Sequence, residues 1–219
     1  MKLTQSTGKV EKEIKEFLLT YKKPKSSSAM ATADAAAEPT EEQIAAAEAQ
    51  AVAQMEELDN RRLIKQTTSK KLQALFSKKQ FIALPTTADT FTKSLQIQPS
   101  ELECESCKGG KYSSWDINEV FNLIYAKMND GEEYYALQYY GDQKVAGLPY
   151  GLVFNESSAS ECKTKFARYN AQLYQTTVEV DANTSSALTV VSFKMDNRFV
   201  RLEFGNQYLT RVLVSNKEQ

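Results

Sequence analysis

Apolar residues recur at helical spacing near the start of the chain. Between residues 10 and 23 they alternate with glutamate and lysine, which leaves one apolar and one charged face, and Pro24 ends the pattern. The spacing predicts an amphipathic helix within residues 1–23. An isolated helix of this length is only marginally stable in water, so we expect it to dock either on the chain's own domain or on a partner. The predicted contact residues are Ile14, Phe17, Leu18 and Tyr21.

Small and polar residues then replace this pattern over residues 24–39, which predicts a flexible linker. Residues 40–84 favour a helical arm that begins at the capping residue Thr40. Its thin apolar seam resembles that of a coiled coil, but Arg62 and Lys65 break the seam, so we do not expect a sustained coiled coil. We expect Thr67-Thr68-Ser69 to interrupt the arm. A second helical pattern, carrying Leu72, Leu75 and Phe76, follows it.

From residue 85 the pattern changes towards β-structure. Phe91 to Ile97 indicates a strand that ends before Pro99. Residues 119–128 fit either a helix or the first strand of a hairpin. Asn129-Asp130-Gly131 and the alternating stretch after it favour the hairpin, with Phe121 to Lys127 as its first strand.

The last third of the chain predicts one helix followed by strands. Ser158 and Glu161 form a capping box at the start of a helix that carries Cys162, Phe166, Tyr169 and Leu173. Four strand-like segments follow, at residues 177–180, 188–195, 199–204 and 208–214. We therefore predict an α+β fold: a helical N-terminal arm, then a domain over residues 85–219 with an antiparallel β-meander packed on a helix.

Charge and histidine content exclude several functional classes. The chain has 27 basic and 28 acidic residues, so it lacks the basic excess of most nucleic-acid-binding proteins. It contains no histidine, which rules out Ser-His and Cys-His catalysis and HExxH metal sites. We therefore expect a non-catalytic protein without a cofactor, whose partner is another protein and not nucleic acid.

Cys104 and Cys107 form a CxxC motif, and Cys162 is the third cysteine. A zinc site needs four ligands, and a thioredoxin-like site places the motif at the start of a helix, whereas here Gly109-Gly110 follows. The spacing favours a disulfide among these three residues. A buried free thiol at Cys162 and a metal or redox site at the CxxC are the alternatives, and we expect no metal.

Tyrosines are crowded between residues 134 and 150. On a sheet they could form a recognition surface, since aromatic residues dominate interface hot spots, although tyrosine also simply favours strands. Neighbouring tyrosines point to opposite faces, so one of each pair should be exposed. The candidate partner-binding residues are Tyr134, Tyr135 and Tyr139.

No stretch of the sequence is apolar enough to predict a membrane span, and residues 1–8 lack the apolar core of a signal peptide. Two locations stay open: the cytoplasm, or the periplasm or cell envelope for a chain tethered in a longer native form. In layout, the stalk-like residues 24–66 and the Tyr/Thr-rich domain from Thr86 resemble a tethered bacterial envelope protein, such as a dedicated type II secretion chaperone.

The order of segments predicts a function in binding. We expect a chaperone or an assembly or secretion accessory that clasps a protein partner with its helical arm and β domain. The alternative is a structural subunit that docks through its N-terminal helix, and the third hypothesis is a metal or redox protein that uses the CxxC.

Overall fold

The computed structural model describes residues 41–102, 110–181 and 184–218. The amphipathic helix predicted within residues 1–23 and the linker over residues 24–39 lie outside these ranges. The described helices are α1 (Glu41–Leu75), α2 (Ala88–Leu95) and α3 (Ala159–Lys165). The first six strands are β1 (Ser100–Leu102), β2 (Lys111–Ile117), β3 (Phe121–Lys127), β4 (Glu133–Tyr139), β5 (Val145–Ala146) and β6 (Val153–Phe154). The last four are β7 (Gln172–Asp181), β8 (Thr184–Met195), β9 (Arg198–Gly205) and β10 (Tyr208–Ser215).

The fold is α+β, as predicted. Eight strands form one antiparallel sheet in the order β1-β2-β3-β4-β10-β9-β8-β7, and β5 and β6 form a separate small hairpin. The sheet therefore consists of two four-stranded meanders, β1–β4 and β7–β10. Each meander follows a short helix, α2 or α3, and their last strands, β4 and β10, pair with each other.

One face of the sheet is buried in the core. A row of apolar residues crosses seven neighbouring strands at matched register, as Trp115, Leu123, Leu137, Val212, Leu202, Val191 and Leu173. The helices cover this face. In α2 the Phe91 ring lies 5.5 Å from Trp115 and 5.3 Å from Tyr125, and after α3 the Phe166 ring stacks on Phe193 at 4.2 Å.

The predicted break at Thr67-Thr68-Ser69 is wrong, because α1 runs through it without interruption. The fully buried Thr68 hydroxyl donates to the Ile64 carbonyl at 2.9 Å and accepts from the Asn118 amide at 3.2 Å. The hydroxyl is thus satisfied inside the helix and does not disrupt it. Beyond this point Leu72, Leu75 and Phe76 enter the core.

The segment Phe91 to Ile97 is helical up to Leu95, so the predicted strand is wrong. Phe91 and Leu95 are four residues apart, a spacing that satisfies both the helical and the alternating period. Both side chains are buried, Asp89 lies in the first turn, and Gln96 ends α2 in the left-handed conformation. The segment is helical because a helix buries both residues on one face.

The other predictions for the domain agree with the structure with one correction. The hairpin β3–β4 and the meander β7–β10 are confirmed. The Ser158–Glu161 capping box begins α3, but this helix ends at Lys165. Asn170 then adopts a left-handed conformation, so Leu173 belongs to β7 and not to the helix.

A hydrogen-bonded strap connects α1 with α2 across the core face of the sheet. The buried Glu133 carboxylate accepts from the Thr86 backbone N–H at 2.6 Å and from the Tyr125 hydroxyl at 2.7 Å. The Tyr135 hydroxyl accepts from the Ile82 N–H at 2.9 Å, and Arg198 donates to the Phe81 carbonyl at 2.7 Å. These bonds satisfy backbone groups that have no hydrogen-bond partner within a strand or a helix.

Removal of the Glu133 carboxylate should destabilise the domain. In Glu133→Ala the partly buried Thr86 N–H loses its acceptor, so we expect the free energy of unfolding to fall by about 1–3 kcal/mol. Glu133→Gln keeps an acceptor oxygen and should lose less. Urea unfolding followed by tryptophan fluorescence measures both variants, and equal losses would contradict this role of the carboxylate.

Cys162 on α3 should be chemically inert in the folded protein. It is a free thiol, 1% exposed, and burial raises its pKa to about 12. As the pH rises above about 9, the unfolded thiol ionises first, so this stabilising contribution is present below pH 9 and is lost towards pH 12. We expect iodoacetamide at pH 8 to label the Cys162 peptide at least about a hundredfold more slowly than in urea, as measured by mass spectrometry. Comparable rates would show that the thiol is accessible.

Candidate functional site

The second face of the sheet carries polar, aromatic and apolar side chains at half-exposed positions, and we call it the open face. Three rows of side chains cross it. The central row is Gln172, Ser192, Arg201, Leu213, Ala136, Ile124 and Ser114. The rows on either side contain Tyr174, Glu203 and Arg211, and Lys194, Phe199 and Tyr134. The helix contacts of Phe91 and Phe166 lie on the core face instead.

The predicted tyrosine surface is only partly present. Tyr134 lies on the open face, where its hydroxyl donates to the Tyr112 hydroxyl at 3.2 Å, and burial and then this bond raise its pKa. Tyr135 and Tyr139 are 0% and 3% exposed and point into the core. They therefore cannot form an exposed recognition surface, and this part of the prediction is wrong. Tyr139 instead stacks on Phe154 at 5.4 Å.

An ionic cluster lies at the centre of the open face. The Glu203 side chain is 8% exposed, and its two carboxylate oxygens lie 2.8 Å from Arg201 Nε and 3.2 Å from Arg211 Nη1. A nearly buried carboxylate needs such partners, because its desolvation is costly. Two guanidinium groups around one carboxylate leave a local positive charge and hold both arginines in place on the face.

A groove of about 780 Å³ lies beside this cluster, where β7, β8, β9 and β10 come together. Tyr174, Arg201 and Leu213 contribute to it from the open face. Tyr169 and Asn170 contribute from the segment after α3, and Ser215 and Lys217 from the end of β10. The groove therefore depends on the C-terminal meander and on the turn that connects it with α3.

The groove combines positive charge with aromatic surface. Its basic side chains are Arg168, Lys194, Arg201 and Lys217, and its acidic side chains among the described residues are Asp196 and Glu218. Asp196 is paired with Arg198 at 2.8 Å, and Lys217 is paired with Asp130 at 3.3 Å. Lys194 Nζ lies 5.0 Å from the centre of the Phe199 ring, and the Arg168 guanidinium lies 4.6 Å from that of Tyr169. This arrangement attracts an anionic group and offers ring faces beside it.

Helix α1 carries a second candidate surface. Every side chain from residue 48 to residue 60 is exposed. Large apolar residues are among them or follow shortly after: Val52, Met55, Leu58 and Leu63 are between 46% and 65% exposed. Single exposed apolar residues are common on proteins, but several of them along one helix indicate a contact surface.

The remaining predicted site residues have separate positions. Ile14, Phe17, Leu18 and Tyr21 lie outside the described residues, as do Cys104 and Cys107. Cys162 is free and buried, which favours the buried-thiol alternative over a disulfide that includes it. In the described ranges no three cysteine or acidic side chains are placed to hold a metal ion.

The basic side chains of the groove are not predicted by the sequence pattern. The alternation of Val200, Leu202 and Phe204 with Arg201 and Glu203 does predict a polar strand face. It does not show that Lys194 and Lys217, from other elements, come close to Arg201. That proximity depends on strand register, which the sequence pattern leaves undetermined.

None of the helices that the structure describes has the length and apolar character needed to span a membrane. The chain matches no family model, no curated protein and no solved structure.

Proposed function

We propose that this chain is a non-catalytic protein-binding factor whose groove accepts an acidic, extended segment of a protein partner. The groove at the C-terminal meander is the observation that carries the proposal. It joins four basic side chains with four aromatic rings, those of Tyr169, Tyr174, Phe193 and Phe199. Arginine and tyrosine are the residues that most often dominate protein-protein interfaces.

The dimensions of the groove favour an extended peptide. It crosses four strands, and with strands about 4.8 Å apart it spans roughly 14 Å, the length of about four extended residues. Arg201 is already paired with Glu203, which reduces the side-chain entropy that it loses when it binds a carboxylate. A preorganised arginine next to an aromatic wall suits a segment in which acidic and apolar residues alternate.

The exposed apolar residues of α1 support a protein partner over a small anion. Met55 and Leu58 would bury apolar surface in such a complex, whereas a small anion would leave both in water. The balanced total charge of the chain, with 27 basic and 28 acidic residues, also speaks against long nucleic acids. Chaperones and assembly or secretion accessories are the class of protein that the domain layout resembles.

Photo-crosslinking in the source cells tests where a protein partner binds. We expect benzoylphenylalanine in place of Phe199 or Leu58 to form an adduct with the same protein. The matched control replaces Tyr140, which is 67% exposed and does not line the groove. Adducts of equal yield from all three positions, or different proteins at the two test positions, would contradict the proposal.

A charge reversal in the groove should weaken the interaction. Lys194 is exposed and lines the groove, so Lys194→Glu should lower the adduct yield from Phe199 at least about fivefold. Lys163→Glu on α3 makes the same charge change at an exposed position outside the groove and should leave the yield unchanged. Equal effects of the two variants would point to non-specific attraction.

A model peptide tests the preferred chemistry of the ligand. A fluorescein-labelled peptide that alternates glutamate and valine should bind more tightly than one that alternates lysine and valine. Because salt screens exposed charges, fluorescence anisotropy should show weaker binding as NaCl rises from about 0.05 to 0.5 M. Equal affinity for the two peptides would exclude an acidic ligand for this groove.

A further inference from the structure

The strand β7 forms one edge of the eight-stranded sheet. It is ten residues long and pairs only with β8, so the backbone groups on its other side have no strand partner within the part of the chain that the structure describes. The opposite edge strand, β1, has three residues within the described ranges. An unpaired edge of this length is a template for another strand, because its N–H and C=O groups are already aligned.

The features that usually protect an edge strand are missing from residues 172–178 of β7, and the register shift in this strand lies beyond them, between Glu179 and Asp181. The segment Gln172–Asp181 contains no proline, lysine or arginine, and residues 172–178 carry no charge at all. Its apolar side chains are also accessible: Leu173, Tyr174 and Val178 are 39%, 38% and 42% exposed. Natural proteins block such edges with lysine, proline or a bulge to prevent unwanted pairing. Residues 172–178 therefore form an edge without these features, which is suited to a specific pairing.

We propose that β7 pairs antiparallel with β7 of a second copy of this chain, with Thr176 on the twofold axis. In this register Tyr174 of each copy lies directly opposite Val178 of the other. An aromatic residue opposite a β-branched one is a favourable cross-strand pair, and the symmetry produces it twice. The pairing would join two sheets into one continuous sheet through the axis.

The sequence around Thr176 favours a second copy over an unrelated strand. Twofold pairing places each residue opposite one on the same face of the sheet. Residues at equal distances before and after the axis must therefore form a favourable cross-strand pair. When the axis passes through Thr176, the two exposed apolar residues Tyr174 and Val178, which lie on one face, are opposite each other. A shift of the axis to Gln175 or Thr177 would separate them. No like charges meet at the axis, since residues 172–178 are uncharged.

The dimer should be a weak one. A single pair of edge strands buries less than the roughly 800 Å² per partner of a standard interface, so we expect association in the micromolar range. Gln172 and Tyr174 also line the groove, so the two grooves of the dimer would lie on either side of the axis. The pairing does not depend on the function proposed for the groove.

Sedimentation velocity of the full chain tests the pairing directly. As the protein concentration increases, we expect the average mass to rise from 24.6 kDa towards twice that value and no further. A chain that stays monomeric over the whole concentration range would overturn the proposal. The edge strand would then be available only to a strand of another protein. Growth beyond the dimer would overturn it as well, because twofold pairing closes after two copies.

Charged variants at the axis test the register. Thr176→Lys and Thr176→Glu each place two like charges opposite one another, so each variant alone should dissociate at least about tenfold more readily. An equimolar mixture should restore the dimer, which also shows that both variants are folded. Ala187→Lys adds the same charge at an exposed position of β8, away from the free edge, and should dimerise as the unmodified chain does. Failure of the mixture to associate would overturn the assigned register.

Discussion

The pairing of β4 with β10 is the constraint on which the rest of the structure depends. It joins two meanders that would otherwise each expose a central strand edge, and it matches Leu137 with Val212 in the middle of the core. Val212 and Val214 are fully buried, and each such side chain contributes on the order of 1.5–3 kcal/mol through burial. Because β10 follows β4 by about 70 residues, this contact also has a long sequence separation, which slows its formation during folding.

The two faces of the sheet differ because every strand alternates between them. The core face is almost wholly apolar, so the charged and polar residues of the same strands gather on the open face. There the Glu203 carboxylate is nearly buried by its neighbours and two arginines surround it. Such a cluster contributes little net stability, because desolvation offsets the attraction. Its main effect is to fix the position of Arg201 beside the groove.

Local sequence signals predicted the hairpin β3–β4, the start of α3 and the C-terminal meander. Each depends on residues close together in the chain, such as the Asn129-Asp130-Gly131 turn and the Ser158–Glu161 capping box. The prediction failed for α2, where Phe91 and Leu95 suit two periods at once. A comparison with α3 could have identified this segment as a helix. Phe91 and Leu95 lie four and eight residues after the N-cap residue Thr87, and Cys162 and Phe166 lie at the same distances after the N-cap residue Ser158.

It was harder to predict on which face of the sheet a single residue lies. Tyr134 and Tyr135 are neighbours with the same chemistry, and only strand register decides that Tyr135 contacts Phe91 in the core at 5.5 Å. The hydroxyl of Tyr135 did not keep it at the surface, because Ile82 supplies a buried N–H. The groove could not be predicted for a similar reason, since its basic side chains come from β8, β9, the segment after α3 and the residues after β10.

The two meanders have the same topology, but their open faces differ. On the open face of the first meander, Tyr112 and Tyr134 join their hydroxyls above Ala126, which is fully buried. In the second meander Lys194, Phe199 and Ser215 take the same row, and a groove remains. Within the described residues, the edge strands have three residues in β1 and ten in β7. The hydroxyl pair of the two tyrosines thus covers the open face of the first meander, whereas the second meander combines a groove with an uncharged edge over residues 172–178.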